Sequence, residues 1–413
     1  MKDNQAKYPQ LRFKGFTDPW EERKLGDIVV KAIDNRGKTP PTSENDKYPL
    51  LEVASIGGYY PNYSKVTKFV NYNIFNSWFR AHLKKGDILF STVGNTGLAT
   101  LMDDNQDATI AQNIVGFRAK NSSVPEFLLQ MFKLPSNLKK VKRIEMGAVQ
   151  PSIKVSQLIE VQYLLPKCKH EQEKIGSFFK QLDKTIALHQ RKLAKLKELK
   201  QGYLQKLFPK NGSKFPQLRF AGFADAWEQR KLGEYGYFYY GKSAPKWSLS
   251  DTATTPCVRY GELYTRHATK IDKIYSYTNI PKENLKFSNG TEVLIPRVGE
   301  DPLDFANCSW LSIPNVAIGE MISVFNSEQN PLFIAYYINS TLKYELAKRV
   351  EGGNVSNLYF NYLEGIRVRF PLIPEQIQIA TLLNKTDQLI ASNQRKLEKL
   401  QELKKGYLQK MFC

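Results

Sequence analysis

Apolar side chains recur at steps of three and four residues along two long, otherwise charged stretches, near 171–207 and 375–411. This spacing predicts two long helices, each with one narrow apolar seam. A seam this long is typical of a coiled coil, and the globular stretch between the helices allows an antiparallel pair. The alternative is that each helix packs on its own module. The predicted seam residues are Leu182, Ile186, Leu193, Leu196 and Tyr203 in the first helix, and Ile390, Leu397, Leu400, Leu403 and Tyr407 in the second.

The stretch that precedes each long helix has a different pattern. Runs of β-branched and aromatic residues, bounded by Gly- and Asn-rich turns, predict strands: YPLLEVASI, GDILFSTV and ATIAQNIVGFRA in the first stretch, and EVLIPRV and NVAIGEMISVF in the second. A helical pattern follows in both, near 124–142 and 331–349. Each stretch is therefore predicted to be an α+β module whose loops are free for recognition.

Two sequence segments occur twice in the chain, in the same order. PQLRFKGFTDPWEERKLG at 9–26 returns as PQLRFAGFADAWEQRKLG at 216–233, and HQRKLAKLKELKQGYLQKLF at 189–208 returns as NQRKLEKLQELKKGYLQKMF at 393–412. Only weak echoes survive between them, GDILFSTVG with TEVLIPRVG and GAVQPSI with GGNVSNL. Similar ends and dissimilar middles indicate a tandem duplication in which one scaffold serves two different targets. The predicted boundaries are a first module at 1–156, a long-helix region at 157–210, a second module at 211–361 and a second long-helix region at 362–413.

The chain of 413 residues is strongly basic, because 60 Lys and Arg against 40 Asp and Glu give a formal net charge of +20. Such a protein usually meets a polyanion, most often nucleic acid; an anionic membrane or an inert basic surface is the alternative. The sequence predicts no membrane span, since it has no run of about eighteen apolar residues, and no secretory signal. We expect a cytoplasmic protein whose cysteines are free thiols, Cys168, Cys257, Cys308 and Cys413.

Side chains that can hydrogen-bond to base edges or phosphates concentrate in the predicted loops. Any one of them could equally be a turn former or a surface polar group. The candidate DNA contacts are Arg36, Lys38, Thr39, Asn95, Thr96, Gln112, Asn113, Lys139, Lys140, Arg143 and Gln150 in the first module, and Lys242, Ser243, Lys246, Arg297, Asn315, Asn354 and Tyr359 in the second.

Motifs for catalysis are missing. GYFYYGKS at 236–243 fits the phosphate-loop pattern, but its aromatic interior predicts a strand and Pro245 disfavours the required helix. The histidines are isolated, no Cys-x-x-Cys occurs, and neither a G-x-S-x-G elbow nor a methyltransferase motif is present. We therefore predict no catalytic residue, no metal and no cofactor on this chain. An enzyme with unrecognised motifs, or a basic coiled-coil adaptor that binds nucleic acid without sequence preference, is the alternative.

Two unlike modules, each followed by a near-identical long helix, resemble the specificity subunit of type I restriction–modification systems. The resemblance covers essentially the whole chain and is carried by WEERKLG and WEQRKLG, by GDILFSTVG, and by PLIPEQIQIATLLNKTDQLIASNQRKLEKLQELKKGYLQKMF. The first copy keeps Glu171 and Gln172 but has His170 where the usual helix entry has proline.

The resemblance implies an α+β chain with two tandem-duplicated target recognition domains and a pseudo-twofold, antiparallel pair of helices. Each domain would recognise one half of a split, asymmetric site in double-stranded DNA, and the helices would act as the spacer. Two modification subunits would dock on the helices and methylate adenine at N6 with S-adenosylmethionine. Restriction subunits that use ATP and Mg²⁺ would join for cleavage, and this chain would catalyse nothing itself.

Overall fold

The computed structural model describes residues 7–33, 38–79, 81–102, 107–210, 212–353 and 355–412. The chain forms two compact units, of which the first contains Met1–Arg191 with Gln394–Cys413 and the second contains Lys192–Asn393. Each unit therefore combines one module with part of both long helices. Among the described cysteines, Cys257 and Cys308 are buried and Cys168 is exposed, all three as free thiols; Cys413 lies outside the described residues.

The first module contains short strands and helices ahead of its long helix. The strands are β1 Glu21–Lys24, β2 Val29–Ile33, β3 Tyr48–Leu51, β4 Phe69–Val70, β5 Ile88–Ser91, β6 Ala99–Leu101, β7 Thr109–Ile110, β8 Ile114–Ala119 and β9 Gln162–Leu165. The helices are α1 Leu25–Ile28, α2 Tyr72–Trp78, α3 Pro125–Lys133, α4 Pro135–Arg143, α5 Val155–Leu158 and the long α6 Lys169–Lys206.

The second module has the same kinds of element. The strands are β10 Glu228–Lys231, β11 Gly236–Tyr240, β12 Thr255–Val258, β13 Lys270–Ile271, β14 Ser276–Thr278, β15 Glu292–Pro296, β16 Val298–Gly299, β17 Ser309–Leu311, β18 Ala317–Ile318, β19 Ile322–Ser327, β20 Glu351–Gly352, β21 Ser356–Asn357 and β22 Arg367–Phe370. The helices are α7 Tyr260–Thr265, α8 Pro331–Thr341, α9 Lys343–Ala347, α10 Asn361–Glu364 and the long α11 Ile373–Met411.

The sheets of the two modules share one topology although the sequences there have diverged. The first module has a sheet of order β2-β8-β5-β6 and the second has β11-β19-β15-β17-β13, which adds one strand at the edge. A smaller sheet, β4-β3-β7 in one module and β14-β12-β18 in the other, pairs its central strand antiparallel on one side and parallel on the other. The topology confirms the tandem duplication.

The central strands β5 and β15 are apolar at nearly every position because both of their faces are covered. In β5, Ile88 and Phe90 belong to the core beneath α3, whereas Leu89 faces the core shared with the small sheet. In β15, Val293 and Ile295 face the core of α8 and Leu294 faces the other. Burial on both faces gives a continuous apolar run instead of an alternating one.

Each helical pattern that follows a sheet is interrupted, where the sequence predicts one continuous helix. Leu134 has extended backbone angles and Pro135 begins α4, because the residue before proline avoids the helical region. In the second module α8 ends at Thr341, and α9 begins after Leu342.

The long helices α6 and α11 pair antiparallel, as the sequence predicts. In the first unit, Phe178 lies against Tyr407 with ring centroids 5.0 Å apart, and further along α6 Asp183 accepts from Lys404 Nζ at 2.6 Å. Residue numbers thus rise along one helix and fall along the other. In the second unit, Lys200 Nζ lies 2.5 Å from Asp387 Oδ1.

The seam follows a strict four–three repeat that differs from the predicted one at a single position in each helix. All predicted seam residues are buried or half-buried except Leu403, which is 50% exposed. The repeat places Lys404 there instead, after Leu400 and before Tyr407. Its equivalent in α6 is Lys200, which lies between Leu196 and Tyr203, where no seam residue was predicted. Sequence reasoning chose the apolar neighbour because it did not anticipate a lysine that is neutralised by an aspartate across the pair.

The near-identical Trp-containing segments join the two long helices within each unit. Arg12 donates two hydrogen bonds to the Glu171 carboxylate, at 2.7 and 2.8 Å, and Arg219 makes the same pair with Glu375. Leu11 N donates to Lys410 O at the end of α11. The duplicated ends of the sequence therefore encode one repeated junction.

The Glu-Gln pair at the start of each long helix also fixes the module. Gln172 Oε1 accepts from Val124 N at the start of α3, and Gln376 Oε1 accepts from Asn330 N at the start of α8, both at 3.0 Å. The helices begin at the equivalent residues Lys169 and Ile373. His170 in place of proline therefore leaves the helix start unchanged.

Candidate nucleic-acid interface

In the second unit, three strand termini meet at one edge of the large sheet. Tyr240 at the end of β11 lies opposite Ser323, and Pro296 at the end of β15 lies opposite Ile322 at the start of β19. Three segments adjoin these termini and therefore lie side by side: the loop 241–246 after β11, residues 297–299 after β15, which include the short β16, and the loop 319–321 before β19. We call these three segments, with the neighbouring β20–β21 hairpin, the strand-end edge.

The first of these loops is held close to the third. Lys242 N donates to Ile318 O at 2.9 Å, and Glu320 N donates to Ser243 O at 2.7 Å. A side chain at Gly241 would overlap the carbonyl oxygen of Gly319, so the close approach requires glycine. Ser243 and Ala244 have φ angles of 66° and 63°, an uncommon left-handed conformation that the surrounding contacts maintain.

Arg297 lies between two aromatic rings at the strand-end edge. Its guanidinium carbon is 4.7 Å from the ring centroid of Tyr240 and 5.4 Å from that of Tyr359. The side chain is half-buried, and its buried Nε has no hydrogen-bond partner among the described residues. A guanidinium held by cation–π contacts with two rings is pre-organised to donate to a base edge or a phosphate.

The first unit builds the same edge from different side chains. Thr92 N donates to Asn113 O at 2.9 Å, and Gly94 N donates to Pro151 O at 2.8 Å. These bonds bring the loop after β5, the turn before β8 and the 146–152 segment together. Three candidate residues of that edge, Asn95, Gln112 and Gln150, are exposed, and Asn113 is half-buried.

Two candidates of the first module have structural partners instead of free hydrogen-bonding groups. Thr96 is buried, and its hydroxyl donates to Glu145 and accepts from Lys142 Nζ at 2.9 Å. The hydrogen bond from the Thr96 hydroxyl lowers the pKa of the Glu145 carboxyl below its ordinary value, and the Lys142 ammonium lowers it further by a smaller amount. Lys140 Nζ donates to Gln162 O at 2.9 Å. These bonds give Thr96 and Lys140 roles in bracing the module.

The other candidates fall into three groups. Asn315 lies away from the strand-end edge. Its backbone N donates to Ser288 O, which precedes β15, whereas Arg297 follows that strand. Arg36 and Asn354 lie outside the described residues. The remaining candidates have exposed side chains, apart from the half-buried Ser243: Lys38, Thr39, Lys139, Arg143, Lys242 and Lys246.

Sequence reasoning missed two exposed apolar residues in these loops. Val149 at the tip of the 146–152 segment is 99% exposed, and Trp247 after Lys246 is 80% exposed. Apolar residues are ordinarily assigned to a core, so composition alone could not mark them. The echo of GAVQPSI in GGNVSNL marked the segment that contains Val149, but it aligns Val149 with Asn354 and so did not single out the valine.

The structure agrees with the rejection of the phosphate-loop pattern. Gly236–Tyr240 form strand β11, and Pro245 precedes a single short 3₁₀ turn. In the described part of the chain, no cluster of three or more His, Cys, Asp or Glu side chains is arranged to hold a metal ion. Of the helices described, none has the length and apolar character needed to cross a membrane.

Comparison with known proteins gives one consistent result. Residues 17–198 and 224–402 match the type I restriction modification DNA specificity domain. The putative type I restriction enzyme MjaX specificity subunit of Methanocaldococcus jannaschii is 24% identical over 405 residues, which cover 94% of this chain and 91% of that protein. The type I restriction enzyme MjaIX specificity subunit of the same organism is 21% identical over 411 residues, which cover 95% of this chain and 92% of that protein.

The fold is also that of a solved specificity subunit. The S subunit of the type I restriction–modification system of M. genitalium aligns with a TM-score of 0.65 and 16% identity, over 98% of this chain and 99% of that one. Specificity subunits are non-catalytic, and the catalytic activities of a type I system sit on its other subunits. With both matched regions present, this chain belongs to the type I restriction–modification DNA specificity family, and its function is DNA recognition.

Proposed function

We propose that this chain recognises a bipartite, asymmetric site in double-stranded DNA, with one half read by each module. The observation that carries the proposal is the strand-end edge. Both units build it at the ends of equivalent strands, β5 and β8 in one and β15 and β19 in the other. The side chains there differ: Asn95 and Gln150 in the first unit, Arg297 and Tyr359 in the second. Equal geometry with different hydrogen-bonding groups is what two unrelated half-sites require.

The basic surface supplies affinity that is independent of sequence. A net charge of +20 attracts the phosphate backbone and makes binding fall with added salt. In this proposal Lys38, Lys139, Arg143, Lys242 and Lys246 contact phosphates or bases, since their side chains are exposed. Asn315 contacts DNA only if the bound duplex extends beyond the strand-end edge.

The paired helices would set the distance between the half-sites and carry the partners. Two copies of one junction offer equivalent surfaces to two identical modification subunits. S-adenosylmethionine, ATP and Mg²⁺ would be used by the modification and restriction subunits, in the cytoplasm. The modules would be 1–156 and 211–361, with helix regions 157–210 and 362–413.

Methylation mapping with a lengthened helix tests the spacer. An insertion of one turn, about four residues and ~6 Å, is tolerated by coiled coils. We expect it to lengthen the gap by about one to two base pairs and to leave both half-sites unchanged. The same insertion at Gly212, an exposed linker residue, is the control and should leave the gap unchanged. Altered half-sites with an unchanged gap would contradict the proposal.

A module exchange tests the assignment of one half-site to each module. Replacing Leu25–Ser156 with the corresponding stretch of a homologue should change one half of the methylated sequence and preserve the other half and the gap. A change in both halves would show that the modules do not act separately.

A further inference from the structure

The 146–152 segment of the first unit is a tight hairpin. Met146 N donates to Ser152 O at 2.9 Å, and Ser152 N donates to Met146 O at 2.8 Å. Gly147 has a φ of 88°, and a Cβ there would lie 2.9 Å from Gln150 O. The turn therefore needs glycine at this position, and its conformation is fixed by the backbone.

The hairpin is attached to the strand-end edge by its base. Gly94 N donates to Pro151 O and Ile153 N donates to Thr92 O, both at 2.8 Å, and Val93 pairs with Ser152. These bonds brace the hairpin against the loop that carries Asn95. Its tip, in contrast, is fully accessible: Ala148, Val149 and Gln150 are all exposed.

Val149 is an unusual side chain to find at such a tip. It is 99% exposed, so it contributes nothing to the core of its unit. A braced turn that presents an apolar group to solvent is suited to contact something outside the chain.

The second unit has an equivalent hairpin with a different sequence. Strands β20 and β21 form a hairpin in which Gly352, the last residue of β20, has a φ of 118°. A Cβ at Gly352 would lie 2.7 Å from Val355 O. The hairpin is attached to the loop after β15, because Gly299 pairs with Ser356. Val355 is 58% exposed. Two diverged modules thus keep a glycine-dependent hairpin with a valine near its tip.

The surroundings of the first hairpin favour DNA as its contact. The tip residues 147–150 carry no charge, while Arg143 and Lys154 on either side of the hairpin have exposed side chains. The carboxylate of Glu145 at the base is already neutralised by Lys142 at 3.1 Å. An uncharged apolar tip flanked by cations suits a base edge between two phosphate backbones.

We propose that both hairpins enter a groove of the bound DNA and that Val149 and Val355 make apolar contacts with the base pairs there. Each valine adds to the recognition of the half-site that its own module reads. The inference rests on the proposed function, because it requires the strand-end edge to face DNA.

The test uses the full chain assembled with its modification subunits and the DNA target found by methylation mapping. Val149→Ser should bind that target about ten-fold more weakly, the size of one lost base contact. The slope of log affinity against log salt should not change, because no cation is removed. Arg143→Gln should instead lower the slope by about one. Val30→Ser, the same change at a 46% exposed valine in β2, is the matched control and should bind normally.

Val355→Ser should weaken discrimination only in the other half-site. Unchanged affinity and unchanged discrimination for both valine variants would overturn the inference. So would loss of the modification subunits from the complex, since it would place the tips against a protein. If the unaltered complex shows no preference for any sequence, the proposed function itself fails, and that result needs no variant. Thermal unfolding should be the same for all variants, because the replaced side chains are exposed.

Discussion

At the scale of single residues, two buried glutamates stabilise the junctions between the long helices and the Trp-containing segments. Glu171 and Glu375 have side chains 1% exposed, and each receives a bidentate arginine from a Trp-containing segment. Trp20 Nε1 also lies 3.4 Å from Glu171 Oε1. A buried carboxylate is tolerated only when its partner is present, which explains why QLRF and the Glu-Gln pair occur together in both halves.

Glu171→Gln should therefore destabilise the first unit by about 3 kcal/mol, because the Arg12 guanidinium loses its charged partner in a largely buried site. Urea unfolding measures the change. Glu173→Gln, an exposed carboxylate two residues away on α6, is the matched control and should change the free energy of unfolding by less than about 0.5 kcal/mol. Equal effects of the two changes would contradict the role given to Glu171.

At the scale of elements, charge explains why the helices run antiparallel. A parallel pair in register would place Asp183 against Asp387 and Lys200 against Lys404, since these are equivalent positions of the repeat. The antiparallel pair instead joins each aspartate to a lysine of the other helix. Burying the charged lysines at seam positions costs free energy, but their pairing with the aspartates favours the antiparallel over the parallel arrangement.

A double-mutant cycle should detect this coupling. We expect Asp183→Asn and Lys404→Met each to destabilise the protein and the double variant to lose about 1 kcal/mol less than the sum, because the pair is largely buried. Combining Lys404→Met with Glu173→Gln should be additive, since these residues make no contact. Additivity for Asp183 and Lys404 would show that the pair has no coupling energy and so cannot favour the antiparallel arrangement.

At the scale of the whole molecule, the junction within each unit has the same contacts but different connectivity. In the second unit, residues 209–215 connect the repeated helix segment, which ends at Phe208, to the Trp-containing segment, and Leu218 N donates to Lys206 O at 2.9 Å. In the first unit, Leu11 N donates to Lys410 O at 2.7 Å without such a link, and Trp20 packs on Phe412 with ring centroids 5.8 Å apart.

A circular permutant should therefore fold and keep its specificity. It joins Phe412 to Pro9 through a copy of residues 209–215 and opens the chain after Lys210, which is exposed. We expect an unfolding temperature within a few degrees of the original, and the same half-sites and gap by methylation mapping. Opening the chain after the fully buried Phe90 in β5 is the control and should prevent folding.

Sequence reasoning predicted most of the elements, but it could not predict which candidate site residues lie together. The duplication, the two long helices and the strand runs of the modules were visible because a helix or strand imposes its own period on the residues that it buries. The breaks at Leu134 and Leu342 were not anticipated. The predicted seam was wrong at Leu403, because periodicity identifies apolar residues and cannot predict that a lysine will pair with an aspartate of the other helix.

The sequence by itself determined that the chain contains two copies of one scaffold and that its two long helices can pair. Only the tertiary structure decided which loop residues meet. Asn95 and Asn113 share an edge because β5 and β8 pair, whereas Asn315 lies apart, although all three were equivalent candidates in sequence. Local patterns report which face of an element is buried, while the meeting of loops depends on strand pairing between distant segments, which no local pattern encodes.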